Sequence, residues 1–296
     1  AVIVFAADHG VTAEGVSAYP QEVTAQMVKN FLAGGAAINV FSKQIGAIFE
    51  IVDVGIANDV NDIRLTKRKI RAGTANFCRE DAMSREEAEE AFTIGKEETA
   101  KMIVNGGNCL IIGEMGIGNT TAASALLSVL TGRNVAELVG PGTGITAEQI
   151  RHKQHVIAKA VSDRNPDKDD PLDLLAKLGG LEIAAMTGAM LEAAKNRTPI
   201  IVDGFICTVA ALLACEIDVR VSGYMIAGHR SAEPGHMAAL EWLGKQPLLE
   251  LNMRLGEGTG AAVAFPIVES AANMLSEMAT FSQAGISRGD SREDQK

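Results

Sequence analysis

The sequence predicts an α/β fold built on a parallel β-sheet, and two features of its hydrophobic pattern carry that prediction. Short runs rich in valine and isoleucine recur without polar alternation, which is typical of strands buried on both faces of a sheet. Each run ends in glycine or aspartate before a helical stretch, so strand, loop and helix repeat as in right-handed crossover units. The runs are AVIVFAADHG (1–10), FEIVDVG (49–55), NCLIIGEMG (108–116), TPIIVDGF (198–205) and GYMIAGHR (223–230).

Helical patterns fill the intervals between these runs. The clearest one spans 84–106, where Ser84 is the predicted N-cap and Glu87, three residues later, completes a capping box. After Gly260 the chain is apolar and helical, and we expect the helix to be interrupted near Pro266. It could lead into a smaller helical domain. The polar, charged segment GISRGDSREDQK is predicted to be disordered.

These patterns divide the chain into three parts. We predict an α/β catalytic domain over 1–260, the C-terminal part of a small helical domain over 261–284, and a disordered tail over 285–296. The chain begins at Ala1 inside a predicted strand, without a methionine or a signal peptide, so we expect the natural N-terminus to be missing.

Composition excludes several classes of partner. A net charge of −10 argues against nucleic acid, because binding a polyanion requires clustered lysine and arginine. The one dense basic stretch, RLTKRKIRAG (64–73), is interpreted as a solvated helix or loop face. No apolar run reaches the roughly 18 residues of a membrane helix. Four cysteines without a C-x-x-C pair favour buried free thiols in a reducing cytoplasm over a zinc site.

Ligands of open α/β sheets bind beyond the carboxyl ends of the strands, and this rule selects the candidate site. The residues that follow directly after a predicted strand are Asp8 and His9, Glu114 to Asn119, Asp203 and Gly204, and His229 to Ser231.

The stretch GEMGIGNTT (113–121) has the glycine spacing of a phosphate-binding P-loop, but Asn119 stands where the P-loop lysine would be. Gly116, Gly118 and the start of the following helix can present backbone N–H groups to an anion. The alternative is a tight turn that needs glycine for packing. Glu114 would repel a phosphate, so it is expected to face a proton donor or a cationic ring.

Two further glycine loops supply candidates. In VGPGTG (139–144), Gly142 and Thr143 could wrap a phosphate, with Lys153 as the missing cation; an ordinary turn is the alternative. In RLGEGTGAA (254–262), Glu257 lies between two glycines and could project into a cleft as a general base. Its alternative is a solvated loop residue.

A metal site assembled from Asp8, His9, Asp203, His229 and His236 is a weaker hypothesis, because the histidines lack metal-ligand spacing. Arg230 and Ser231 are better candidates to donate hydrogen bonds to substrate oxygens.

Together these motifs resemble one family, the nicotinate-nucleotide–dimethylbenzimidazole phosphoribosyltransferases. The resemblance runs from Asp8 to about Ser282 and is carried by DHGVTAEGVSAYPQEVTAQMV, GTANF, GEMGIGNTTAASAL, VGPGTG, DGFICTVAALLA, GYMIAGHRSAEPGH and RLGEGTGAA. It implies a Rossmann-like domain, a small helical domain from both chain ends, and a cytoplasmic homodimer without a cofactor or metal. Its implied substrates are nicotinate mononucleotide and 5,6-dimethylbenzimidazole, with α-ribazole 5′-phosphate and nicotinate as products.

The resemblance also implies roles for individual residues. Glu257 matches the catalytic base and Glu114 a second active-site carboxylate. The benzimidazole pocket is implied to include Ser17, Tyr19 and Gln26. The segments implied to hold the nucleotide include Gly116, Gly118, Asn119, Gly142, Thr143, Lys153, Asp203 and Ser231.

Two other functions stay open from the residues alone. A nucleoside-triphosphatase would rest on the near-P-loop, although the absent lysine argues against it. A non-catalytic nucleotide-binding module would tolerate loss of Glu257, whereas a transferase would not.

Overall fold

The computed structural model of the chain describes residues 1–140, 142 and 144–287. Six strands form one parallel sheet in the order β3-β2-β1-β4-β5-β6, so the α/β prediction is confirmed. The strands are β1 (Val2–Ala7), β2 (Phe49–Gly55), β3 (Thr66–Lys67), β4 (Leu110–Met115), β5 (Ile200–Val202) and β6 (Met225–Ala227). The strand order reverses between β1 and β4, the point where such sheets bind ligands.

Helices cover both faces of the sheet. β1 is buried along its whole length, and its alternate side chains enter two separate hydrophobic cores, which explains why its sequence does not alternate. The helices are α1 (Val23–Ala33), α2 (Ala37–Gln44), α3 (Arg85–Val104), α4 (Asn119–Thr131), α5 (Val135–Leu138), α6 (Ala147–Arg164), α7 (Pro171–Leu178), α8 (Leu181–Lys195), α9 (Phe205–Ile217), α10 (Pro234–Leu243) and α11 (Thr259–Glu277).

Helix α3 confirms the predicted N-terminus. The Ser84 side chain accepts a hydrogen bond from the Glu87 backbone N–H at 3.1 Å, and the Glu87 side chain accepts one from the Ser84 N–H at 2.8 Å. Each end of this reciprocal pair satisfies a backbone donor that the first helical turn leaves without a partner.

The basic stretch 64–73 departs from the predicted solvated helix or loop face. Thr66 and Lys67 form the edge strand β3, which is too short to show a hydrophobic pattern. Its arginines are also paired: Arg68 contacts Glu97 at 2.6 Å and the buried carboxylate of Glu98. Because these arginines already pair with carboxylates, their charges are not free to bind a polyanion.

Helix α11 runs through Pro266, so the predicted interruption was wrong. Proline removes one backbone hydrogen bond, but Ala261, Ala262 and Ala264 pack the preceding turns into the core and hold the helix axis. Beyond Val268 the helix is exposed and projects as an arm. The predicted small domain over 261–284 stays a prediction.

The predicted tail, 285–296, lies mostly outside the described residues, as do Pro141 and Thr143 of the second glycine loop. No helix within the described ranges is long and apolar enough to cross a membrane.

Candidate active site

A cleft of about 710 Å³ lies at the carboxyl ends of β4, β5 and β6. Its wall brings together candidates from five separate parts of the sequence. From β4 and the loop after it come Glu114, Gly116, Gly118 and Asn119; from the ends of β5 and β6 come Asp203 and Ser231; from two further loops come Gly142 and Glu257. Apart from Arg230, the residues that the strand-end rule selected after β4, β5 and β6 therefore line one cleft.

The first glycine loop joins β4 to α4, as predicted. Gly118 has a left-handed backbone (φ 99°) and caps the N-terminus of α4. A Cβ on Gly116 would lie 2.3 Å from the Ala7 carbonyl oxygen, so this glycine is also required for packing. The two interpretations of the loop, packing and anion binding, are compatible here.

Asn119 turns towards Glu114 instead of towards an anion. Its Nδ2 donates a hydrogen bond to Glu114 Oε2. Burial, together with the negative charges of Glu182, Asp203 and Glu257, raises the pKa of Glu114 to about 8. Glu114 is therefore mostly neutral at pH 7, which explains how a carboxyl group fits beside a glycine loop.

The loop that carries Glu257 has an unusual backbone. Gly256, Glu257 and Gly258 all have positive φ angles, of 78°, 66° and 89°. For a residue with a side chain this region costs about 1–3 kcal/mol, and such residues cluster at functional sites. The strain is a sign of function that the sequence indicated only through the flanking glycines.

Two contacts hold this loop against the sheet. A Cβ on Gly113 of β4 would lie 2.1 Å from the Glu257 carbonyl oxygen, so only glycine permits the approach. Asp203 accepts hydrogen bonds from the backbone N–H of Gly258 at 3.2 Å and of Ala261 at 2.9 Å. Asp203 thereby fixes the Glu257 loop and the start of α11; its predicted contact with the nucleotide stays a prediction.

The Glu257 side chain has the properties of a general base. It is 7% exposed, and burial raises its pKa to about 7. The carboxylate accepts a hydrogen bond from the backbone N–H of Ile38 at the start of α2. Its Oε2 has no hydrogen-bond partner within the described residues. A carboxylate that titrates near neutrality and keeps one oxygen free can accept a proton from a ligand.

The opposite side of the cleft forms a cationic corner around Gly142. Lys153 is 2% exposed, and its Nζ donates to Thr120 Oγ1 at 2.8 Å. Burial lowers the pKa of Lys153 to about 8, so it is still mostly charged at pH 7. A Cβ on Gly142 would lie 3.5 Å from the same Nζ, which places the charge directly behind the second glycine loop.

Ser231 is held in this corner by a chain of hydrogen bonds. His236 Nδ1 accepts the Ser231 backbone N–H at 2.8 Å, so the ring proton must reside on Nε2, which donates to Thr208 Oγ1 at 2.9 Å. Thr208 in turn donates to the Gly204 carbonyl at 2.9 Å. Burial lowers the pKa of His236 to about 3, so the ring stays neutral at pH 7. Each hydrogen bond in this series therefore keeps its donor and its acceptor.

The structure places only two of the three predicted benzimidazole-binding residues in the cleft. Ser17 and Tyr19 line the cleft, together with Val23 and Met27, whereas Gln26 is exposed on α1 and does not line it. The cleft wall also contains apolar side chains that the sequence patterns did not select: Phe205, Ile206 and Leu255.

Two histidines near the cleft, His9 and His229, pair with carboxylates. His9 Nε2 lies 2.6 Å from Glu182 Oε1, and both side chains are fully buried. His229 Nε2 lies 3.5 Å from Asp203 Oδ1, and Arg230 contacts Glu250 at 3.4 Å. Across the described part of the chain, no group of three or more histidine, cysteine, aspartate or glutamate side chains is arranged to hold a metal ion.

Sequence reasoning missed the supporting roles of five residues. These are Gly113, Glu182, Glu233, His236 and Arg254. Most of them act through contacts between distant segments, which no local motif reports. For Glu233 a signal existed: it directly precedes Pro234 at the N-terminus of α10, two residues after Ser231.

Comparison with known proteins gives a consistent result. A family model described as Phosphoribosyltransferase matches residues 1–286. Chloroflexus aurantiacus has a protein that is 51% identical over 288 residues, covering 97% of this chain and 82% of the relative; it is named nicotinate-nucleotide–dimethylbenzimidazole phosphoribosyltransferase. A relative from Halalkalibacterium halodurans with the same name is 51% identical over 286 residues, covering 97% of this chain and 80% of its own. The crystal structure of CobT from Thermus thermophilus superimposes with a TM-score of 0.94 at 48% identity, covering 97% of this chain and 86% of that one.

Proposed function

The chain belongs to the family of nicotinate-nucleotide–dimethylbenzimidazole phosphoribosyltransferases, and from this premise we propose how its cleft performs that reaction. Ribose 5-phosphate moves from nicotinate mononucleotide to 5,6-dimethylbenzimidazole, which gives α-ribazole 5′-phosphate and nicotinate for cobalamin biosynthesis. The observation that carries the proposal is Glu257, a buried carboxylate with a pKa of about 7 that shares one cleft with the cationic corner.

The chemistry requires one base. Nicotinate is bound to C1′ as a pyridinium, so the bonding electron pair returns to the ring nitrogen when the bond breaks, and no general acid is needed. One benzimidazole nitrogen forms the new bond to C1′, and the proton on the other nitrogen passes to Glu257. Attack from the face opposite the pyridinium inverts C1′, which accounts for the α-linked product.

The two carboxyl groups have separate roles because their pKa values differ. Glu257, with the lower pKa of about 7, is the one available in ionised form near neutral pH. Glu114, with a pKa of about 8 and a hydrogen bond from Asn119, is mostly neutral there. In this form it adds no second negative charge that would keep Glu257 protonated before the reaction, and its acid proton can be donated to a ligand.

The phosphate binds in the cationic corner. Backbone N–H groups near Gly116, Gly118 and Gly142 surround it, and Lys153 supplies one positive charge. The Ser231 hydroxyl is a further donor; Thr143 is proposed from the resemblance alone. A monophosphate has no β or γ phosphate group for a P-loop lysine to bind. Asn119, which occupies that position, donates a hydrogen bond to Glu114 instead.

The acceptor binds between Glu257 and the segment before α1. Tyr19 and Ser17 line this end of the cleft, and Met27 adds apolar surface suited to a flat aromatic ring. Gln26 is exposed in this structure, so its proposed contact with the acceptor requires a movement of α1.

A homodimer is proposed from the resemblance and from the α11 arm. Met274, Leu275, Met278 and Phe281 are each more than half exposed, and large apolar side chains in such a cluster are typical of an interface. A small helical domain covering this arm is part of the same proposal.

Incubation with both substrates, followed by chromatography and mass analysis, tests the function. We expect nicotinate and α-ribazole 5′-phosphate in equal amounts, and no product from the nucleoside that lacks the phosphate. Absence of both products would contradict the proposal. The comparisons give no support to the nucleoside-triphosphatase or to the non-catalytic module. Release of nicotinate in this assay would exclude both alternatives.

A further inference from the structure

The cationic corner contains a carboxylate that the proposed reaction does not use. Glu233 lines the cleft and is 8% exposed. Its side chain accepts a hydrogen bond from the Gly142 backbone N–H, the group that the proposed function assigns to phosphate. Its Oε2 packs against the same loop, since a Cβ on Gly140 would lie 2.4 Å from it. In the ligand-free protein, therefore, a carboxylate already occupies an anion-binding position.

The charges around Glu233 explain why an acid is tolerated there. Two cations act on it, Lys153 of α6 and Arg254 of the loop before Glu257. Lys153 is buried, and its Nζ donates a hydrogen bond to the neutral Thr120 hydroxyl. A buried cation without a counter-charge is strongly unfavourable, so Glu233 supplies the negative charge that the corner requires when it holds no ligand.

An incoming phosphate changes this balance. A phosphate monoester is mostly a dianion at neutral pH, and it would be placed beside an ionised carboxylate in a corner shielded from water. When two negative charges lie side by side, protonation of one of them becomes favourable. Burial already raises the pKa of Glu233 in the ligand-free protein, while Lys153 and Arg254 hold it down. The phosphate neutralises these two cations and so removes the influence that keeps Glu233 ionised.

We propose that Glu233 is a stand-in anion for the phosphate site, and that it takes up a proton from solvent when the nucleotide binds. The protonated carboxyl group then donates a hydrogen bond to a phosphate oxygen. This inference rests on the proposed function, because it needs the phosphate to bind near Gly142 and Lys153. Its consequence is that nucleotide affinity falls as the pH rises, even where the phosphate itself is fully ionised.

Proton-linked calorimetry tests the proposal. Binding of nicotinate mononucleotide is measured at pH 7.5 in buffers of different ionisation enthalpy, for the wild type, Glu233→Gln and the exposed control Glu137→Gln. Glutamine is neutral and can donate to a phosphate oxygen, so it imitates protonated Glu233. We expect the wild type and Glu137→Gln to take up about one proton more per site than Glu233→Gln does. Between the pKa of Glu233 in the free protein and its higher pKa in the complex, wild-type affinity should fall about tenfold per pH unit relative to Glu233→Gln; above the pKa in the complex the difference should level off.

A second measurement needs no variant. Wild-type protein should take up protons with the nucleotide and with inorganic phosphate, but not with the nucleoside that lacks the phosphate. The amount is diagnostic: a phosphate beside a cation releases protons on its own, and Lys153, whose pKa is about 8, can take up only the fraction of a proton that it lacks at pH 7.5.

The outcomes separate this inference from the proposed function. Equal proton counts in the wild type and Glu233→Gln, with weaker binding by the variant, would show that Glu233 acts as an ionised acceptor and would overturn the inference alone. Equal affinity for nucleotide and nucleoside would overturn both, because no phosphate would then reach Glu233.

Discussion

Replacing Gly113 by alanine should impair catalysis from a position that no substrate touches. The new Cβ would lie 2.1 Å from the carbonyl oxygen of Glu257 and 2.5 Å from its carbonyl carbon, and both are backbone atoms that cannot rotate away. An ordinary contact at this position begins near 3.4 Å, so the Glu257 loop must move by more than about 1 Å, a displacement that typically costs about 10² in rate. Overpacking of this kind also destabilises a protein by about 1–3 kcal/mol.

The assay combines steady-state kinetics, calorimetric binding of nicotinate mononucleotide and thermal unfolding of the same samples. We expect kcat to fall about a hundredfold, while nucleotide affinity changes less, because Lys153 and Gly142 lie outside the loop that moves. Gly223→Ala is the matched control, since its Cβ would meet no heavy atom within 4 Å. A folded Gly113→Ala protein with wild-type kcat would refute the inference that this glycine positions Glu257.

Three further predictions concern the substrate sites and the reaction. Lys153→Ala should weaken binding of nicotinate mononucleotide by about 1.5–3 kcal/mol, the value of a hydrogen bond to a charged group, and leave benzimidazole binding nearly unchanged; calorimetry of both ligands checks this, and equal losses for the two would contradict it. Glu114→Gln should retain most activity at pH 7, because a neutral amide replaces a carboxyl group whose pKa is about 8; a loss as large as that of Glu257→Gln would reverse the two assignments. Activity should survive exhaustive chelation with EDTA, because neither bond change needs a Lewis acid; a loss restored by one divalent ion would revive Asp8, His9 and His229 as ligands.

The sequence predicted the parts of the fold that depend on local patterns. Five of the six strands follow from apolar runs, and the start of α3 follows from Ser84 and Glu87. The strand β3 was missed because two residues carry no pattern. The break at Pro266 was wrong because packing of the preceding alanines outweighs one lost hydrogen bond.

The same distinction between local patterns and long-range contacts applies to the candidate site. The glycine loops and Glu257 were selected because closely spaced glycines, and a carboxylate residue between two of them, are local signals in the sequence. The support of the loop by Gly113 and Asp203 joins residues that are 55 or more positions apart, so no motif could report it. The role of His236 depends on which ring nitrogen carries the proton, and only the positions of Ser231 and Thr208 determine that.

The pH dependence of kcat in Glu257→Gln, measured beside the wild type, tests the proposed mechanism most directly. Glu257 must be ionised to accept a proton, so wild-type kcat should fall about tenfold per pH unit below the pKa of Glu257 in the substrate complex and level off above it. Without substrate this pKa is about 7. Glutamine keeps the shape but cannot accept the proton, so kcat should drop by about 10² to 10⁴ and lose this acid limb, with nucleotide binding nearly unchanged. A Glu257→Gln enzyme that keeps near wild-type turnover and the same acid limb would contradict the mechanism and place the base elsewhere, with Glu114 as the next candidate.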